Sequence, residues 1–227
     1  MSLAIDRAGG DTLSERAAQR IEADIVTGAL APGSKLGISE LAAQYGIGAT
    51  PVREGLSRLV ARGLIIAIGQ RGFRVSEISR ADLADITRLR TLVECEAFRL
   101  SLRHGDSAWE AGIVAAQYRL RRCVGQSKRG LGEGRPEFDA RHKEFHTALI
   151  AACGSPRMLD AHSALYDQAY RYRRLMMARI DSPAEFLRDH DELAELALNR
   201  SMKSASARLA DHIASTLRHV YPQAGMP

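Results

Sequence analysis

His142 and His146 stand four positions apart in the segment HKEFH, a spacing that sets two imidazoles on one helix face about one turn apart. Neutral imidazoles so placed can share a divalent ion. His190 and His212 fall in the middle of later segments flanked by apolar residues. All four rings could therefore meet inside a helical bundle, where metal sites commonly take an i, i+4 pair from one helix. The same residues also read as ordinary core or surface histidines, because spacing alone does not bring His190 and His212 to the pair. Further on, Tyr166, Tyr170, Arg171, Tyr172, Arg173 and Arg174 form a basic aromatic stretch. A solvated face over core tyrosines is its ordinary meaning, with Arg171 a candidate contact for a bound acid.

A second chemistry lies in residues 32–75. Ile38, Leu41, Ala42 and Tyr45 recur at helical spacing and Gly46 supplies a left-handed turn position. Thr50 is expected as N-cap and Pro51 as first residue of a second helix running to Gly63. That helix should bury Val52, Leu56, Leu59 and Val60 and leave Arg53, Ser57, Arg58 and Arg62 outside. Its positive N-terminus suits a recognition helix entering the major groove with its first turn leading. Leu64 to Ile68 and Phe73 to Ser76 read as two strands joined by Gly69-Gln70-Arg71-Gly72, a turn with a cation at its tip. Two short helices followed by a basic hairpin make a winged helix-turn-helix, whose partner is double-stranded DNA.

The segments PGSKL, ELA, TPVRE, LVARGL and RGFRV, in this order, resemble the GntR family of bacterial transcription regulators. The resemblance implies DNA contacts at Thr50, Pro51, Arg53, Arg71 and Gly72, with Lys35 and Ser39 as further positions. Gly48 and Ala49 depart from the family's usual hydroxyl residue and arginine, so one customary DNA contact is missing. His142-Lys-Glu-Phe-His146, Arg188-Asp-His190 and Asp211-His212 resemble the ligand-binding domain of the FadR-like subfamily, which carries an FCD domain. That resemblance implies a metal held by His142, His146, His190 and His212, with His142 standing where an aspartate is usual. Zn²⁺ is the leading ion, with Ni²⁺ or Mn²⁺ as alternatives. It also implies a small organic acid as effector, bound at the metal and by Arg90; Arg90 could equally pair with Glu94 one turn on.

These residues need elements to position them. Thr12 to Leu30 should form the first helix of the reading head. After a short polar link at Glu77 to Arg80, six helices are expected over Ala81–Arg103, Ser107–Val124, Pro136–Cys153, Pro156–Ile180, Pro183–Asn199 and Lys203–Tyr221, with a mobile loop over Gly125–Pro136. The fold class is thus mainly α. A winged helix-turn-helix of three helices plus a small β-hairpin, residues 1–78, precedes an all-α antiparallel helical bundle, residues 79–227, for effector binding and dimerisation.

Composition narrows the function. The 227 residues, 45% of them apolar, suffice for two cores. Net charge is +5, yet residues 1–78 hold nine basic and eight acidic side chains, so the local run Arg53, Arg58, Arg62, Arg71 and Arg74 against Glu54 carries the electrostatic signal. Three dispersed cysteines, Cys95, Cys123 and Cys153, without a CxxC pair read as reduced thiols. No segment reads as a membrane span or leader, which places the expected protein in the cytoplasm. A homodimeric, ligand-responsive repressor on a palindromic operator is the leading expectation. A direct metal sensor and a metal-dependent hydrolase or lyase remain as alternatives; against the enzyme, no HExxH motif exists and Glu144 should point away from the histidine face.

Overall fold

Thr12 begins the first helix with a reciprocal cap: its hydroxyl accepts from the Glu15 N–H and the Glu15 carboxylate accepts from the Thr12 N–H. In the computed structural model, which describes residues 11–126, 136–177 and 182–222, helix α1 then runs Leu13–Thr27 and stops at Gly28 in the left-handed region. Strand β1 (Lys35–Leu36), helix α2 (Ile38–Tyr45), helix α3 (Ala49–Ala61) and strands β2 (Ile65–Ala67) and β3 (Phe73–Val75) complete the first unit. The expected hairpin pairs antiparallel, Ile66 opposite Arg74, and β1 adds a third strand on the far edge of β3, Lys35 opposite Arg74.

One boundary differs from the sequence reading. Gly48, not Thr50, caps α3, and Thr50 and Pro51 lie inside its first turn. The Gly48 carbonyl accepts from the Val52 N–H, closing that turn two residues early. Proline fits there because N–H groups of a first turn have no intrahelical partner to lose.

The head packs α1 on α3 around Ala17, Ile21, Ile25, Val52, Leu56 and Leu59, all buried. The helices touch closely at Gly55, where a Cβ would lie 2.9 Å from the Ala18 backbone nitrogen. Gly55→Ala should push α1 off α3 and destabilise the head by about 1–3 kcal/mol. Thermal unfolding of the variant checks this; a Tm at or above that of the native sequence would contradict the close-packing argument.

The chain divides into two compact units, Met1–Glu77 and Ile78–Pro227. In the second, helices α4 (Arg80–His104), α5 (Ser107–Gly125), α6 (Pro136–Ile150), α7 (Pro156–Met177), α8 (Pro183–Leu198) and α9 (Met202–Val220) form the bundle. Ser79, Asp106 and Ser182 cap α4, α5 and α8 with side-chain oxygens, which accounts for starts that the apolar periodicity alone left open by a residue or two. Phe98, Ile113, Leu120, Phe145, Leu193 and Leu209 are core residues of this unit. The loop expected over Gly125–Pro136 and the end of the helix expected to reach Ile180 fall largely outside the described residues. Among the described residues no helix is long and apolar enough to cross a membrane, and none of the three cysteines is in a disulfide.

Candidate functional site

The head presents Lys35, Ser39, Thr50, Arg53 and Arg71 exposed, with Pro51 and Gly72 half-buried. Gly48 offers no side-chain cap, so the first-turn N–H groups of α3 carry their partial positive charge with no side-chain acceptor at the cap position. Arg71 ends a single 3-10 turn, Gly69–Arg71, closed by hydrogen bonds from the Ile68 N–H to the Gly72 carbonyl (2.8 Å) and from the Arg71 N–H to the Ile68 carbonyl (2.7 Å).

Three arginines of the run are engaged within the head. Arg62 forks onto Glu22 of α1 at 2.7 and 2.5 Å, Arg58 lies 3.8 Å from Glu15, and Arg74 donates to the Gly33 carbonyl. Counting arginines along the chain therefore overstated the cations left to meet phosphate. The pairing acids sit on α1, Glu22 40 residues before Arg62 and Glu15 43 residues before Arg58, beyond the reach of any local pattern.

In the bundle, α6 holds His142 and His146, α8 holds His190 and α9 holds His212. Their rings converge: Nε2 of His142 lies 2.8 Å from Nε2 of His190 and 3.0 Å from Nε2 of His146, which is 3.3 Å from Nε2 of His212. One ligand nitrogen from each falls within 4.8 Å of every other, and three of the four residues are buried. The Phe186 carbonyl lies 2.7 Å from His190 Nδ1 and can only accept. The proton of His190 is therefore on Nδ1, and its Nε2 lone pair faces the cluster. Burial, followed by the imidazoles of His142, His212 and His190, pushes His146 well below the ordinary histidine range, so it stays neutral. Its Nδ1 is buried without a hydrogen-bond partner among the described residues. Neutral imidazoles aimed at one point suit a divalent cation and would otherwise crowd their lone pairs together.

A cavity of about 110 Å³ opens beside the cluster, walled by Arg90, Phe186, Asp189, Ile213, Thr216 and His219 as well as by three of the histidines. Arg90 is buried and forks onto Glu94, Nε to Oε1 at 2.6 Å and Nη2 to Oε2 at 3.1 Å. Both readings of Arg90 hold: it pairs with Glu94 and it faces the cavity. Burial would raise the Glu94 carboxyl, but Arg90 and the contacting His162 hold it down to about 2.

Arg171 does not reach this cavity. It is buried 3.9 Å from Asp82, with its guanidinium 5.8 Å from the Tyr172 ring, away from the histidines. The spacing of the basic aromatic stretch could not say which side of α7 faced the cluster; Tyr166 does, at 6.1 and 5.9 Å from His142 and His146. Two residues were missed. His219 lies seven positions after His212, two turns along the same face, so its place on the wall was readable. His162, against Glu94, carried no local signal. Glu144 binds Arg119 and Arg141 at 2.6 and 3.1 Å, away from the histidines.

A winged helix-turn-helix carried on the same chain as an all-helical bundle defines a class of two-part DNA-binding regulators. Residues 13–75 match the description "Bacterial regulatory proteins, gntR family" and residues 85–215 match the FCD domain. The chain is 37% identical over 206 residues to the HTH-type transcriptional regulator BphR of Paraburkholderia xenovorans, covering 91% of this chain and 84% of that protein. It is 34% identical to the HTH-type transcriptional repressor GlaR of Escherichia coli, covering 84% and 87%. The solved structure of E. coli McbR/YncC shares the fold at TM-score 0.76, with 20% identity over 95% of this chain and all of that one. The chain belongs to the GntR family of bacterial regulatory proteins and carries the FCD domain that fits its FadR-like subfamily. Family and relatives are transcriptional regulators, not enzymes.

Proposed function

We propose that this protein is a homodimeric repressor that binds a palindromic operator and is released when a small organic acid enters the bundle cavity. The observation that carries the reading is the convergence of four histidine nitrogens within 4.8 Å beside a cavity that Arg90 faces. His142, His146, His190 and His212 would hold a divalent ion, Zn²⁺ foremost with Ni²⁺ or Mn²⁺ as alternatives; an all-imidazole set suits Zn²⁺ and Ni²⁺ better than the harder Mn²⁺. When bound, that ion would supply Lewis acidity toward a carboxylate or hydroxyl oxygen.

The chain's own groups do the rest. Glu94 takes Nε and one edge of Nη2 of Arg90, which leaves the Nη1 donors and the other Nη2 proton to bind a carboxylate. The Phe186 carbonyl fixes the ring of His190, and Phe186 and Ile213 give the cavity apolar walls that exclude water. Release from DNA then requires that the acid bind the DNA-incompetent arrangement more tightly, and by linkage DNA must weaken the acid to the same degree.

In the head, Lys35, Ser39, Thr50, Pro51, Arg53, Arg71 and Gly72 are the proposed DNA-contacting set, with Arg53 on the first turns of α3 and Arg71 on the wing. Arg53→Ala should weaken operator binding about tenfold or more while leaving the fold intact, because its side chain is exposed. Selecting genomic fragments with the purified protein, then titrating the enriched site by fluorescence anisotropy, checks this, and unchanged affinity removes Arg53 from the interface. The same assay with small carboxylic acids, with and without chelator, tests the whole reading. An acid that lowers operator affinity only in metal-loaded protein supports it. If the ion alone switches binding and no acid has any effect, the organic-acid effector is wrong.

A further inference from the structure

We infer that the acid taken by the bundle cavity carries an ammonium group at its far end, several carbons from the carboxylate, and that Glu185 and Asp189 at the rim select it. The inference rests on the organic-acid reading above and names the class of that acid. The cavity wall takes residues before His190 on α8 and after His212 on α9, so the two helices run antiparallel along it, away from the histidine cluster. Glu185 stands five residues before His190, about 7.5 Å along α8, and Thr216 stands four after His212, about 6 Å along α9. Floor and rim differ in exposure. Arg90, His142 and His190 are buried, whereas Glu185 and His219 are exposed and Asp189 is half-buried.

They differ in sign as well. At the floor Arg90 offers N–H donors and is the one arginine or lysine among the described wall residues. At the rim the groups are acceptors. Glu185 and Asp189 are carboxylates one turn apart on α8. Thr216 is 5% exposed, lines the cavity, and its hydroxyl makes no hydrogen bond among the described residues. Nδ1 of His219 lies 2.7 Å from the Ser215 carbonyl, which can only accept, so the neutral ring keeps its lone pair on Nε2. A carboxylate therefore fits the floor and is repelled at the rim, where a cation with several N–H donors is matched. Nearby arginines do not cancel the rim. Arg188 is 3.9 Å from Glu185 with both side chains largely exposed, a contact worth little, and Arg208 divides itself between Asp189 at 2.9 Å and Glu192 at 2.6 Å. Phe186 and Ile213, buried between floor and rim, suit the methylenes separating the two charges. An extended chain of about four methylenes covers that distance.

The test is isothermal titration calorimetry of the full chain saturated with Zn²⁺, using three probes that differ only at the far end: 5-aminopentanoate, hexanoate and hexanedioate. The ammonium compound should bind about tenfold or more tighter than hexanoate, with hexanedioate weakest. Glu185→Gln combined with Asp189→Asn should bring the ratio of 5-aminopentanoate to hexanoate affinity to within about threefold of one and strengthen hexanedioate relative to hexanoate. Each ratio is taken within one protein, so a loss of folded or metal-loaded chain cancels from it. Thr216→Val, which leaves the rim charges in place, should lower the native ratio about threefold. Equal binding of 5-aminopentanoate and hexanoate, or hexanedioate as the tightest probe, overturns the ammonium class and leaves the organic-acid reading standing. The native ratio persisting in the double variant overturns selection by Glu185 and Asp189. Binding of acetate but of none of the three probes likewise overturns the inference alone. If acetate and all three probes fail to bind at millimolar concentration, the organic-acid reading falls and this inference with it.

Discussion

His146→Ala should remove the divalent ion and most of the metal-dependent stability of the bundle together. His146 is the centre of the cluster, its Nε2 within 3.0 Å of His142 and 3.3 Å of His212, so its loss takes out the ligand that links α6 to α9. A site filled at about a thousand times its dissociation constant adds about 4 kcal/mol to the folded state, which for a domain of this size is a Tm difference of roughly 8–16 °C. Removing a buried imidazole also leaves a small cavity, so Tm alone is ambiguous. The clean readout is the response to chelator. The native protein should lose that increment when the ion is stripped, whereas the variant, already without it, should lose nothing further. Atomic emission analysis should show about one ion per chain in the native protein and far less in the variant. Full metal content in His146→Ala, or a native protein whose Tm ignores chelator, would remove these histidines as ligands.

Glu94→Ala carries the second large effect. Glu94 is 1% exposed and is the carboxylate against which both Arg90 and His162 rest. Deleting it strands the Arg90 guanidinium in the bundle without its counter-ion, at a cost of about 3–5 kcal/mol. Glu94→Gln keeps shape and some hydrogen bonding but loses the charge, and separates packing from electrostatics. The sign of the pH dependence follows from the low carboxyl pKa. With an ordinary value of 4.5 unfolded and about 2 folded, Glu94 contributes its stability above pH 4.5 and loses it as pH falls from there toward 2. The electrostatic share is on the order of 3 kcal/mol. Urea unfolding at pH 6 and pH 3 should therefore show the native protein well above Glu94→Gln at pH 6 and closer to it at pH 3. A gap independent of pH would mean that the carboxylate is not held ionised by Arg90 and His162.

Both expectations bear on function through one side chain. Arg90 can meet a ligand in a defined direction because Glu94 anchors two of its five donors, so a variant at Glu94 that still folds should lose acid response before it loses operator binding.

What the chain determined locally is clear at its ends and periods. Thr12 with Glu15 and Ser182 with Glu185 mark helix starts because a cap is made within three residues. His142 and His146 share a face because 3.6 residues make a turn, and the wing is read from strand, glycine turn and strand in succession. Tertiary packing decided the rest. A two-residue strand such as Lys35–Leu36 is too short to show alternation and exists only because β3 offers it an edge. Gly48 caps α3 in place of Thr50 because the turn closes wherever a carbonyl can accept, a matter of backbone path rather than side-chain preference. Arg62 is engaged by Glu22, Arg171 faces Asp82 rather than the cavity, and His162 rests on Glu94 across 68 positions of chain. Above all, the spacing that put two histidines on one helix could not bring His190 and His212 to them. That required α8 and α9 to pack with defined rotation about their own axes, which the whole apolar core of the bundle sets and no short stretch of sequence encodes.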